Sequence, residues 1–144
     1  MQMTLRPYLA TALAIGGAIV AALGLYFVFL RPPVLPEDLR FMGTSMTQLQ
    51  AGMPGLLPWL RRVFWVLGGY MFATGLLTSH AAVTVFRARA RGAAGVVALA
   101  GLASVGWMVV VNFIIGSDFK WLLLSFVIPW ALALALYPIE RRAP

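Results

Sequence analysis

"YLATALAIGGAIVAALGLYFVFL", residues 8–30, runs for twenty-three positions without a charged side chain. A hydrocarbon core about 30 Å thick is crossed by roughly 20 apolar residues in a helix. Only a helix or a closed barrel satisfies its own backbone in lipid, and a run this long and continuous is helical. Three more runs follow. The second ends "VFWVLGGYMFATGLLTSHAAVTVF" and spans about residues 60–86, starting between Pro58 and Val63. The third, "AAGVVALAGLASVGWMVVVNFII", covers 93–115, and the shortest, "WLLLSFVIPWALALALYPI", covers 121–139. The expected architecture is all-α: a four-helix transmembrane bundle forming one integral membrane domain over residues 1–144.

Composition agrees. Of the 144 residues, 62% are hydrophobic and 10% charged, and the mean hydropathy is +0.91. Soluble domains are nearer half apolar and a quarter charged. The net charge of +7 would suit nucleic acid only if it clustered on one face. Here it sits at the ends of apolar runs, facing headgroups, so nucleic-acid binding is excluded and anionic lipid headgroups are the expected basic-residue partners. The absence of cysteine removes disulfides, thiolate metal sites and thiol redox chemistry. Ten arginines to one lysine, with abundant alanine and glycine, fit a GC-rich bacterial source and hence a bacterial inner membrane.

Arg6 ahead of the first run resembles a signal peptide, but signal cores are about 7 to 15 residues long. This run is longer and ends in Tyr26, Phe27 and Phe29 instead of a small-residue cleavage site, so it is expected to stay. Four spans place Arg6, Arg87, Arg89, Arg91, Arg141 and Arg142 on one side and Arg31, Arg40, Arg61, Arg62 and Lys120 on the other. Six against five is a narrow margin. The dense "RARARG" cluster lies in a short loop, where positive-inside bias is strongest, and puts both termini in the cytoplasm. Glu37, Asp38 and Asp118 then fall outside.

The first loop, about 27 residues, is long against the usual 2 to 8 of helical bundles. Pro36 suits a first helical position, and Glu37 and Asp38 then favour the positive end of the helix dipole. "SMTQ" at 45–48 is a capping box, and Gly52 and Pro54 supply a stop. Leu39, Met42, Met46, Leu49 and Met53 recur at spacings of three and four, broken near Gly43. Residues 36–53 therefore read as two short interfacial helices capping the bundle outside. Glu37, Asp38 and Arg40 are its polar residues, and the acids can pair with Arg31, Arg40 or Arg61. Trp59, Trp65 and Trp121 mark the membrane interface, with Arg61 and Arg62 snorkelling to headgroups there and Arg87, Arg89 and Arg91 on the opposite side.

His80 is the one ionisable group inside a span, and such groups are candidate sites. It lies about 10 Å of helix rise before Arg87, on a face with Ala73, Leu77 and Thr84. An interhelical hydrogen bond accounts for it simply. It could instead ligate a haem or chlorophyll-type pigment, either as a single axial ligand or with a partner subunit supplying the second; a lone histidine makes a poor proton relay. Asn112 suits cross-helix bonding, and Pro129 should kink the fourth span near Ser125. Trp107 and Trp130 lie too deep for the interface, and either fill the bundle core or flank a shared cavity. Small residues at 10, 14, 18 and 22, at 69 and 73, and at 94, 98 and 101 suggest close-packing faces.

No phosphate-cradling loop, HExxH, paired acids or Ser/His/Asp set occurs, and spans 1–2 do not echo spans 3–4. The long outer loop, then "WLRRVFWVLGGYMFATGLL" at 59–77, then two short-looped spans resembles small bacterial four-span proteins of DoxX-like outline. That resemblance implies the fold and carries no activity or site residue. The function expected from these residues is a non-catalytic accessory subunit, packing in a larger membrane complex or with itself. The alternative is a binder of a small lipophilic molecule, a quinone, lipid or pigment, between helices near His80, Trp107 and Trp130.

Overall fold

The computed structural model describes residues 6–138. The expected end of the last span at Ile139, and Arg141 and Arg142, lie outside the described residues. Helix α1 spans Arg6–Phe29. Two short helices follow, α2 at Pro36–Met42 and α3 at Met46–Gly52. Helix α4, Leu56–Ala81, continues through a wide π-type turn at Ala82–Phe86. Helix α5, Ala93–Gly101, passes through a second wide turn, Leu102–Gly106, into α6, Trp107–Ile114. Helices α7, Lys120–Ser125, and α8, Ile128–Leu136, complete the order. There is no strand among the described residues.

Three helical lengths are long and apolar enough to cross a membrane: Pro7–Phe29, Leu56–Phe86 and Ala93–Ile114. These match the first three expected spans within a few residues. The fourth, Lys120–Leu136, is shorter; at 1.5 Å per residue it rises about 25 Å. Pro129 breaks it where a kink was expected. The proline occupies the first turn of α8, where a missing N–H costs nothing. The chain crosses the break on tight turns, Phe126 N–H donating to the Leu123 carbonyl at 3.2 Å and Val127 N–H to Leu124 at 3.1 Å.

The two short helices form where their sequence suggests. Pro36 starts α2, and the Asp38 carboxylate reaches back to accept from the Leu35 N–H at 2.8 Å. Gly43 ends the helix with φ +64°, a left-handed conformation that glycine adopts without strain. The Ser45–Gln48 capping box is present in both directions, Gln48 N–H to Ser45 Oγ and Ser45 N–H to Gln48 Oε1.

Helix α1 packs along α4 through paired glycines. A methyl group added at Gly24 or at Gly68 would meet the other's carbonyl oxygen at 2.6 Å, and one at Gly75 would meet the Gly17 carbonyl at 2.5 Å. Such contact lets dispersion act between backbones where lipid removes the hydrophobic drive. Ser79 Oγ adds a bond to the Ala14 carbonyl at 3.2 Å. The seam is thus Gly17, Ala21 and Gly24; of the expected alanine stripe Ala10 is buried and Ala14 is packed, whereas Ala18 and Ala22 are exposed, as is Ala73, and Gly69 faces open space.

The helices are closely packed at the end where α1 begins. Leu9 and Leu13 of α1, Phe86, Val97 of α5, and Trp130, Ala133 and Tyr137 of the fourth segment form one buried cluster. Trp130 is wedged between two glycines, Gly16 of α1 and Gly101 of α5; a side chain at either would strike its indole ring. Phe86 packs on Tyr137 with ring centroids 4.7 Å apart.

Candidate functional site

Above this closed end the helices part. One turn beyond Gly16 and Gly101, a cavity of about 750 Å³ opens toward the cap. Its α1 wall is Val20, Leu23, Tyr26 and Phe27, and α4 contributes Leu67, Tyr70, Met71 and Thr74. The third wall begins in the wide turn, at Ala103, Ser104 and Val105, and continues along α6 through Trp107, Met108 and Asn112. A π-turn re-aims its side chains and is often found beside functional sites. Leu122, Leu123 and Phe126 close the fourth side, in the segment that Pro129 interrupts. Tyr70 and Trp107 both line the space while remaining 71% and 65% exposed. The cavity therefore opens sideways between α4 and α6, near the middle of α4.

The roof is polar. It consists of Arg31, Leu35, Glu37 and Asp38 from the start of the cap, and Ser117 and Phe119 from the loop after α6. Arg31 is largely buried and fully engaged. It pairs with Asp38 at 3.5 Å, donates to the Pro32 carbonyl at 2.8 Å, and lies 3.7 Å over the Phe64 ring. Its pKa falls below the ordinary value because burial disfavours the charge by more than Asp38, Tyr26 and Glu37 restore. A guanidinium stays protonated regardless. Glu37 is 2% exposed, and its carboxylate accepts from the Ser117 hydroxyl at 3.2 Å. Arg40 bonds Asp118 at 2.7 Å on the surface. Two bonds thus fasten α2 to the α6–α7 loop. Of the arginines expected as partners for the acids, Arg31 takes Asp38, Arg40 takes Asp118, and Arg61 takes neither Glu37 nor Asp38.

His80 lies elsewhere. It is exposed, is absent from the cavity lining, and its carbonyl, not its ring, accepts from Thr84 at 2.7 Å. Thr78 is buried and Ser79 reaches α1, so the next residue, about 100° further round the helix, faces outward. A haem or pigment on His80 would need its second wall from another chain. Trp130 is 3% exposed and sits below the cavity floor, while Trp107 lines the cavity. The expected grouping of His80, Trp107 and Trp130 is therefore three separate places. Asn112 lines the cavity but bonds its own helix, at the Met108 carbonyl, 2.9 Å away.

Most of the tryptophans and arginines expected at the interface lie on the surface of the protein. Trp59, Trp65 and Trp121 are at least half exposed, and Trp121 meets Phe113 edge-on at 5.1 Å. Arg61, Arg62, Arg87 and Arg91 are exposed. Arg89 differs: it adopts φ +59°, turns inward, donates to the Tyr137 carbonyl and lies 4.1 Å over the Tyr137 ring. It clamps the closed end of the bundle and is not simply a headgroup contact. Among the described residues, no three His, Asp or Glu side chains gather as a metal site would require.

The roof was partly legible, through the clustered acids of "PEDLR". Ser104, Ser117 and Tyr70 carried no sequence signal, because only the packing of separate elements around one cavity brings them together. No family model matches the chain, and neither does any curated protein or solved structure.

Proposed function

We propose that this chain crosses a bacterial inner membrane four times, with both termini in the cytoplasm, and binds a small lipophilic molecule between its helices beneath the outer cap. The observation that carries this reading is the cavity of about 750 Å³, within the range of about 300 to 1,000 Å³ that suits small-molecule sites. Apolar walls, a polar roof at headgroup level and a lateral opening onto lipid suit an amphiphile arriving from the bilayer. The reading assigns binding, not catalysis. It departs from the His80-centred version of the same idea, since the space lies on the other side of α4.

The accessory-subunit reading draws on the same opening. Tyr70 and Trp107 present an uncovered aromatic flank that a helix of another subunit, or of a second copy, could fill in place of a small molecule. Native mass spectrometry of the protein released from its own membrane in mild detergent separates the two. Binding predicts a stoichiometric adduct of small-molecule mass, lost when Ala103→Trp fills the cavity. A protein partner retained in place of that adduct, or no adduct at all, would overturn the binding reading.

A further inference from the structure

Charge at the roof of the cavity is lopsided, two carboxylates facing one guanidinium. The cavity's serine and threonine hydroxyl protons near mid-height are committed to their own helices: Ser104 Oγ donates to the Ala100 carbonyl at 2.6 Å and Thr74 Oγ1 to the Tyr70 carbonyl at 2.8 Å. What those groups still offer an occupant is acceptor lone pairs. Arg31, the one cation in the lining, is held by Asp38, by proline carbonyls and by the Phe64 ring. The roof holds two carboxylates against that one guanidinium. Glu37 has a single neutral donor, Ser117, and no ion pair within 4 Å among the described residues. A carboxylate so buried, with acceptor capacity left and a cavity in front of it, is matched by a cationic donor and opposed by an anion. Tyr26, Phe27 and Phe119 bring aromatic surface to the same end, which attracts cations further.

We infer that the cavity selects amphiphiles bearing an ammonium head group, with the Glu37 carboxylate as counter-ion and the tail lying among α1, α4 and α6. This rests on the lipophile-binding reading and narrows it. An acidic lipid or fatty acid would place like charges together under the cap.

The test uses the full chain in nanodiscs of the uncharged glycolipid digalactosyldiacylglycerol, which brings no ammonium group of its own, and equilibrium dialysis of three radiolabelled probes sharing one tail: dodecylamine, dodecanol and dodecanoate. Empty nanodiscs supply the background partitioning. Dodecylammonium is expected to bind saturably and at least about tenfold tighter than dodecanol, with dodecanoate weakest, as a charge-assisted bond would give. Glu37→Gln keeps an acceptor for Ser117 and should abolish the preference for the amine over the alcohol. Dodecanoate binding as tightly as dodecylamine overturns the inference, as does an amine preference that survives Glu37→Gln. Equal saturable binding of all three, abolished by Ala103→Trp, would sink the head-group inference and leave the lipophile-binding reading standing. Binding no greater than to empty nanodiscs would sink both. The probe comparison on the wild-type chain needs no variant to fold.

Discussion

A methyl group added at Gly68 would lie 2.6 Å from the Gly24 carbonyl oxygen, whereas at Gly69 it would meet nothing within 4 Å. Gly68→Ala should therefore force α1 and α4 apart and cost about 1 to 3 kcal/mol, the usual range for overpacking. Gly69→Ala should be neutral or slightly stabilising, since alanine is the better helix former. Reversible unfolding in mixed detergent micelles checks the pair, and equal effects would contradict the seam. Sequence spacing pointed to Gly69 and to alanines four apart. Four residues turn a helix by about 400°, so a strict four-residue stripe drifts some 40° per step and wraps off the contact face. Gly17, Ala21 and Gly24, at steps of four and three, hold to one side. His80 drew notice for its chemistry, but which way it faces depends on helix rotation, and that is set by the glycines.

The cap is fastened by one buried bond and one exposed ion pair, and these should differ in weight. Ser117→Ala removes the donor to Glu37, leaving a carboxylate of 2% exposure without its partner. A cost of about 1 to 3 kcal/mol is expected. Asp118→Ala breaks a pair whose side chains are 57% and 59% exposed, so less than about 1 kcal/mol should follow. Hydrogen exchange of the α2 amides reads both; the reverse order would show that the cap is held by its surface charges. These elements were the most legible part of the chain. Pro36, the Ser45–Gln48 box and Gly43 act through local backbone chemistry that needs no tertiary context. The fourth segment was less so, because a proline inside an apolar run can kink a helix or restart one, and neighbouring helices decide which. Its break beside Phe126 leaves the cavity's fourth wall to α7 and Phe126, while α8 packs into the closed end.

At the scale of the molecule, the bundle is tied at one end by Arg89, Phe86, Trp130 and Tyr137 and parted at the other beneath a charged cap. Hydropathy made the apolar runs legible because lipid allows few backbone solutions. It was silent on the parting, because a cavity is a relation between helices and leaves no periodic mark on any one of them. Cavity, cap and closed end keep their assigned sides only if the short Lys120–Leu136 segment crosses the bilayer with the other three. The chain has no cysteine, so single cysteines introduced at Gln48, Ala90, Asp118 and Pro138 can be labelled in intact cells with a membrane-impermeant maleimide. Residues 48 and 118 should react from outside, and residues 90 and 138 only after the membrane is opened. Labelling of residue 138 from the same side as 118 would show that the last segment turns back, and would contradict the account.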